Sequence, residues 1–482
     1  MTIVVGIPGA QGIPGVAGTN GNTVWTTSGA PASTVGVNGD FADDPVAQVW
    51  YGPKAAGAWP AGVSYKGATG AMGPRGMRGI SDRILSAGNF WQFASASPVL
   101  SDGTSTTVNA LEGRYLPAGG GDLRVTLSNK NGTGSIVVTA SVQWPTNLVP
   151  EPLTWNNAAS VTIPAGQTVT SDPFNGALNV WGCPPPGTEV FFRYFITCAS
   201  GVKFELNNSS GLGMQTGTTQ TDQTLQQSFN YGTAGIAQFG MTSLIGTPLT
   251  ASRAIVAVGD SITRGEGSSI VDGGPIYWAC GGFTSSAYQW ANAAIVGEPG
   301  AWFATNPTPR RQAMLKYADV IPICYGTNDI GFSSGTITLA TLQATILKTW
   351  WACAGYGARV VGLTLLPRST STNSFIDLTH QTPVVGWGVG STAALFNTWL
   401  RNGAPILNGV AVAVGTTGAI VAGQTGHPLS AVCDWCSVVE AGQGSGLWII
   451  NGTANYATAD GTHPTDAAGQ LMGALLQAAF GI

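Results

Sequence analysis

The sequence predicts a multidomain chain in which collagen-like segments and an all-β region precede a C-terminal doubly wound α/β domain. Three observations predict it. Glycine recurs at every third position in two N-terminal runs, short alternating strands fill the middle, and continuous apolar runs alternate with helical spacing after about residue 250.

The triplets come first along the chain. Gly6, Gly9, Gly12, Gly15, Gly18 and Gly21 form one run, and Gly67, Gly70, Gly73, Gly76 and Gly79 form the other. Three polyproline-II strands leave room only for glycine at their shared axis, and Pro8, Pro14 and Pro74 pre-set the required φ. Residues 1–23 and 66–80 are therefore expected to be collagen-like, which implies a homotrimer; a flexible glycine-rich linker is the plainer alternative. Between them, 24–65 reads as a small β-module, with a strand expected over Val46–Tyr51 and a turn at Gly52-Pro53. The triplets together with Gly39-Asp40-Phe41 and Tyr51-Gly52-Pro53-Lys54 resemble sequences common in bacteriophage tail fibres and other virion appendages. That resemblance implies a place on the virion, with other virion proteins as partners.

Residues 81–230 read as all-β, a sandwich or jelly roll. Leu123–Leu127, Ser135–Thr139, Val161–Ile163 and Val190–Ile196 are strand-like, with turn signals at Asn131-Gly132, Pro164-Ala165-Gly166 and Pro184–Gly187. From 231 to 482 the texture is α/β. Ala254–Val258, Val320–Tyr325 and Arg359–Leu365 are apolar runs of the kind expected in parallel strands buried on both faces. Leu339–Tyr356 has helical spacing, and so does Asp466–Phe480, with Thr465 as N-cap and Leu471, Ala474, Leu475, Ala478 and Ala479 on one face.

Composition narrows the function. Of 482 residues only 9% are charged, against roughly 25% in typical domains, while 44% are apolar and 69 are glycine. A net charge of −4 without a basic cluster gives no footprint for nucleic acid or an anionic membrane, and suits uncharged partners such as glycans. The segment MTIVVGIPGAQG lacks a basic n-region, so no signal peptide is expected, and no apolar run approaches the ~18 residues of a membrane span. Release by cell lysis would reconcile an unexported chain with an extracellular surface. Seven cysteines, among them the lone pair Cys433 and Cys436, suggest neither a disulfide framework nor a zinc site, and neither a metal nor a cofactor is expected.

The chemistry begins where the run 254–258 enters Gly259-Asp260-Ser261-Ile262-Thr263. A serine after a parallel strand and at a helix start lies where open α/β sheets place their sites, beside unpaired N–H donors; a helix N-cap is the plainer reading. Serine needs a base to act as a nucleophile, and there are three histidines. His463 stands in Asp460-Gly461-Thr462-His463-Pro464, where the carboxylate can orient the imidazole toward a serine. His380, with Asp377 at the same spacing, is the runner-up; His427 has no such acid.

Gly259-Asp260-Ser261, Asn292–Gly297, Gly326-Thr327-Asn328-Asp329 and Asp460–His463 resemble, in order, the Ser, Gly, Asn and His blocks of SGNH (GDSL-like) hydrolases. The strings LRVTLSN and VTIPAGQTVTSDP resemble the β-domain that precedes the catalytic domain in one branch of that family. The resemblance implies a flavodoxin-like parallel sheet and a serine esterase without cofactor. It implies Ser261, His463 and Asp460 as catalytic residues, with Ser261 and Gly297 N–H and the Asn328 amide as oxyanion donors. Gly297 can also be read as a loop-shaping residue, and Asp329 as structural. Arg264 stands where many relatives of that branch carry aspartate. Trp278, Tyr288, Trp290 and Trp302 are expected to pack in the core, with stacking on sugar rings as the alternative. An acylated, specifically O-acetylated, host surface glycan is the expected substrate. The rival is a non-catalytic fibre protein that only holds glycan.

Overall fold

The structure, a computed structural model, describes residues 22–64, 83–84, 87–89, 100–144, 150–174, 183–206, 211–228, 239–270, 273–305, 311 and 314–481. Both glycine-triplet runs lie outside these residues. The chain divides into two compact units, Met1–Gly73 and Pro74–Ile482.

In the first unit, β1 (Val24–Thr26), β2 (Phe41–Asp44), β3 (Val49–Tyr51) and β4 (Val63–Ser64) form one sheet in that order. β1 pairs parallel with β2, and the other pairs are antiparallel. The strand expected from Val46 starts three residues later. The Asp44 carboxylate accepts N–H bonds from Val46 (3.0 Å) and Ala47 (2.9 Å), which draws those residues into the β2–β3 turn. Two polar side chains hold the long β1–β2 loop. Asp40 accepts from Thr23 N, Trp25 Nε1 and Val37 N, each at 2.9 Å, and the buried Lys54 ammonium donates to the carbonyls of Ser33, Val35 and Gly36. These contacts give the G-D-F and Y-G-P-K residues their structural work.

The second unit contains two antiparallel sheets over a common apolar core. One joins Thr107–Leu116, Ile136–Gln143 and Thr188–Cys198; the other joins Thr168–Thr170, Gly121–Ser128, Ser243–Thr247 and Arg83–Ile84. Leu123, Val125 and Leu127 alternate inward from one sheet, and Val190, Phe192, Tyr194 and Ile196 from the other.

The expected border at residue 230 does not coincide with a break in the fold. Ser243–Thr247 lies beyond it yet pairs with Gly121–Ser128. More tellingly, the strand Ala87–Asn89 pairs antiparallel with Thr107–Leu116 on one side and parallel with Tyr288–Asn292 on the other. The β-rich and α/β regions therefore share a single twelve-stranded sheet.

Its parallel part runs Tyr288–Asn292, Arg253–Gly259, Val320–Cys324, Arg359–Leu363, Ala431–Cys433. The helix expected over 339–356 spans Leu339–Ala354, capped by Thr338 and burying Leu342, Ile346, Trp350 and Cys353 at helical spacing. The last helix, Asp466–Ala479, buries a different face from the one expected: Ala468, Gly469, Met472, Gly473 and Leu476 are inward, and Leu471 is exposed. Close approach decides this. A Cβ at Gly469 or Gly473 would press on Trp278 at 3.2 and 2.6 Å, so the glycines seat the helix against Pro275–Ala279. Thr465 occupies the cap position without a capping bond and donates instead to the Tyr456 carbonyl. Among the described residues no helix is long and apolar enough to cross a membrane.

Candidate active site

Arg253–Gly259 has parallel partners on both sides, and the chain visits Tyr288–Asn292 on one flank before Val320–Cys324 on the other. Such a reversal opens a crevice at the carboxyl ends of the strands, where the loops after all three strands meet. After Gly259 the chain turns into the short helix Ser261–Arg264, with Asp260 as N-cap accepting from Ile262 N at 3.0 Å. Asn292 ties off the other end, its amide donating to the Thr263 (2.8 Å) and Arg264 (3.3 Å) carbonyls. Ser261 is thus held at a first helical position between two loops.

His463 reaches it from the far end of the sequence. Its Nε2 lies 2.8 Å from Ser261 Oγ, and its Nδ1 lies 2.6 Å from Asp460 Oδ2. The carboxylate acceptor fixes the proton on Nδ1, which leaves the Nε2 lone pair facing the serine hydroxyl. The other Asp460 oxygen accepts the N–H groups of Thr462 and His463, both at 2.8 Å. Burial pushes the Asp460 pKa up, but these N–H bonds and the imidazole outweigh it and hold the carboxyl below its ordinary range. Gly461 lets the loop take this shape. Its φ is +80°, and a Cβ there would fall 1.8 Å from the Ser369 carbonyl oxygen. Ser268 and Ser269 bind the Asp466 carboxylate, which anchors the helix that follows His463 to the loop that follows Ser261.

The remaining expected residues come together around the serine. Glu298 N donates to Ile295 O at 3.2 Å, closing a turn in which Gly297 sits at φ +74°. The N–H groups of Ser261 and Gly297 have no hydrogen-bond partner among the described residues. Asn328, near the start of the helix Thr327–Phe332, bridges their neighbours: its Nδ2 lies 3.4 Å from Asp260 Oδ2 and 3.2 Å from the Glu298 carbonyl. Both contacts are longer than the most frequent ~2.9 Å of an N–H···O bond. Asp329 is structural: its carboxylate caps the helix Gly300–Thr305 by accepting from Gly300 N (2.7 Å) and Ala301 N (3.0 Å).

Beneath this lies a cluster that was not read from the sequence. The buried Glu298 carboxylate accepts from Arg311 Nη1 at 2.7 Å and from the Tyr325 hydroxyl at 2.6 Å, and Arg311 also donates to Tyr325 Oη at 3.1 Å. Burial and the neighbouring carboxylate push the Tyr325 hydroxyl well above its ordinary pKa. The cluster holds the residue next to Gly297, and through its carbonyl the Asn328 amide.

Asp260 is fully buried, and desolvation, aided by the charges of Asp329 and Glu298, lifts its pKa from 3.8 to about 7. An acid neutral in the fold but ionised when unfolded makes stability fall as pH rises between those two values. Urea denaturation should show a downward slope from pH 4 to pH 7 that flattens in Asp260→Asn; an unchanged slope in that variant would assign the dependence to other groups.

The other candidates are accounted for. His427 is buried, with Nε2 2.9 Å from the Ala404 carbonyl and Nδ1 accepting from Leu429 N, and burial lowers its pKa. His380 pairs with Asp377 at 2.7 Å, but both side chains are open to solvent, and their other side-chain bonds are within residues 373–380. Tyr288 and Trp290 are buried in their strand and unavailable for sugar stacking, whereas Trp278 and Trp302 are half-buried. Arg264 pairs with Glu266. All seven cysteines are thiols, Cys433 and Cys436 both buried.

Comparison with known proteins comes from structure alone. No family model and no curated protein matches the sequence. A lipase/acylhydrolase from Enterococcus faecalis aligns at 18% identity over 47% of this chain and 94% of its own, with a TM-score of 0.31. A GDSL-like lipase from Bacteroides thetaiotaomicron aligns at 14% over 47% and 87%, with a TM-score of 0.28. An acetyl xylan esterase aligns at 14% over 47% and 98%, with a TM-score of 0.32. Scores this low leave the functional reading to the geometry of the site.

Proposed function

We propose that the chain is a serine esterase of the SGNH type, working on a trimeric virion appendage to remove acyl groups, chiefly acetyl, from a host surface polysaccharide. The observation that carries the enzymatic part is the contiguous relay of Ser261 Oγ, His463 and Asp460 at 2.8 and 2.6 Å. In this reading Ser261 Oγ attacks the ester carbonyl and His463 Nε2 takes its proton, while Asp460 steadies the imidazolium. The Ser261 and Gly297 N–H groups and the Asn328 amide receive the charge of the tetrahedral oxyanion. His463 then protonates the departing sugar oxygen, leaving an acyl-serine, and activates the water that hydrolyses it. Asn328→Ala is expected to lower kcat ~10²–10³-fold with KM little changed; a loss confined to KM would remove Asn328 from the oxyanion role.

The substrate class rests on the low charge of the chain and on access. The side chains of His463 and Asp460 are 24% and 55% exposed, which suits a polymer approaching from solvent. The virion setting and the trimer rest on the sequence of the amino-terminal segments, whose glycine triplets would join three copies. The test is incubation with O-acetylated host polysaccharide. Acetate release supports the reading, and retention of the glycan without release would show a binding protein instead.

A further inference from the structure

The two faces of the β1–β4 sheet are unlike. The register sets Val24 beside Phe41 and Trp50 beside Val63, so the four share a face, with the Phe41 and Trp50 rings 5.7 Å apart. Trp25, Ala42 and Tyr51 lie on the other, where Ala42 and Tyr51 are buried and the Asp40 contacts fold the β1–β2 loop against Trp25. Among the described residues of this unit nothing covers the first face to that degree: Val24 is 55% and Val63 69% exposed, and Phe41 and Trp50 are only half-buried. Asp43 stands on this face opposite Trp50, and its Oδ1 is shielded from solvent without a hydrogen-bond partner.

Two observations say what covers it. The glycine triplets stop at Gly21, just before β1, and resume at Gly67, just after β4. If each run winds with two others, three modules are tethered at both ends to one axis by spans of a few residues, at high effective concentration. A sheet of about 40 residues without cysteine is also at the size where a lone core is insufficient and oligomerisation supplies the rest. We infer that the Val24–Phe41–Trp50–Val63 face is where three copies of the chain pack against one another around a common axis. This rests on reading the triplets as collagen-like.

The test is the native mass of the full-length protein across a dilution series. The wild type is expected as a trimer. Val24→Lys/Val63→Lys, at positions already exposed in a single chain, should dissociate at ~10²-fold higher concentration or be monomeric, with the β-sheet circular dichroism and ester hydrolysis unchanged. Val46→Lys, 89% exposed in the β2–β3 turn, should behave as wild type. A double variant that dissociates like the wild type overturns the packing face and leaves the triplet reading standing. A monomeric wild type overturns both, and neither outcome touches the esterase assignment.

Discussion

Hydrolysis of p-nitrophenyl acetate is expected to fall ~10⁴-fold or more when Ser261 is replaced by alanine. The hydroxyl is the sole nucleophile in the proposed relay, and the oxyanion donors that survive the change stabilise attack by water only weakly. No acyl-enzyme can form, so the initial burst of p-nitrophenol should vanish along with the steady rate. His463→Ala should cost nearly as much, and the double variant little more, because the two residues act as one unit. Folding should be unaffected, since among the described residues Ser261 Oγ bonds only to His463 Nε2. Retention of the wild-type rate by Ser261→Ala would sink the assignment, whatever the geometry of the pair.

Arg311→Met should destabilise the fold by about 3–5 kcal/mol. The guanidinium and the Glu298 carboxylate are both buried, and removing the guanidinium leaves the carboxylate charged in a low-dielectric interior with, among the described residues, only the Tyr325 hydroxyl as a partner. Much of that loss should return in Glu298→Gln/Arg311→Met, because the stranded charge goes too. Urea denaturation midpoints measure both. Activity supplies a second readout: as Glu298 holds both the turn at Gly297 and the carbonyl that touches Asn328, kcat should fall further than KM rises. Equal stability of Arg311→Met and wild type would mean that the pair is solvated and does not anchor the turn.

The parallel strands were legible because both faces are buried, so Arg253–Gly259, Val320–Cys324 and Arg359–Leu363 appear in the sequence as unbroken apolar runs. Tyr288–Asn292 was not, since its fully buried YQWAN includes a glutamine whose amide donates to Ser252 and an asparagine that ties off the helix Ser261–Arg264. The Ser261–His463–Asp460 set was readable from local motifs, each of which builds its own loop. Glu298 and Arg311 were not, as a pairing over 13 positions leaves no periodic trace; an arginine and a glutamate in so weakly charged a chain were the only hint. The inward face of the last helix was misread for a related reason. Apolar spacing marks residues that want burial, while Gly469 and Gly473 mark where a neighbouring backbone must come close.

The strand Ala87–Asn89 gives the molecule a property that its α/β half would lack alone. It occupies the flank of Tyr288–Asn292, and Arg83 nearby pairs with Asp319, whose carboxylate also holds Ala254 N. A fragment cut at residue 231 would present that flank as a row of unsatisfied amides and carbonyls, a template for other chains to add to. Such a piece would tend to precipitate even with Ser261, His463 and Asp460 all present, and a cut meant to keep that sheet covered belongs before Arg83. The β-rich region thus closes an edge of the sheet that carries Ser261.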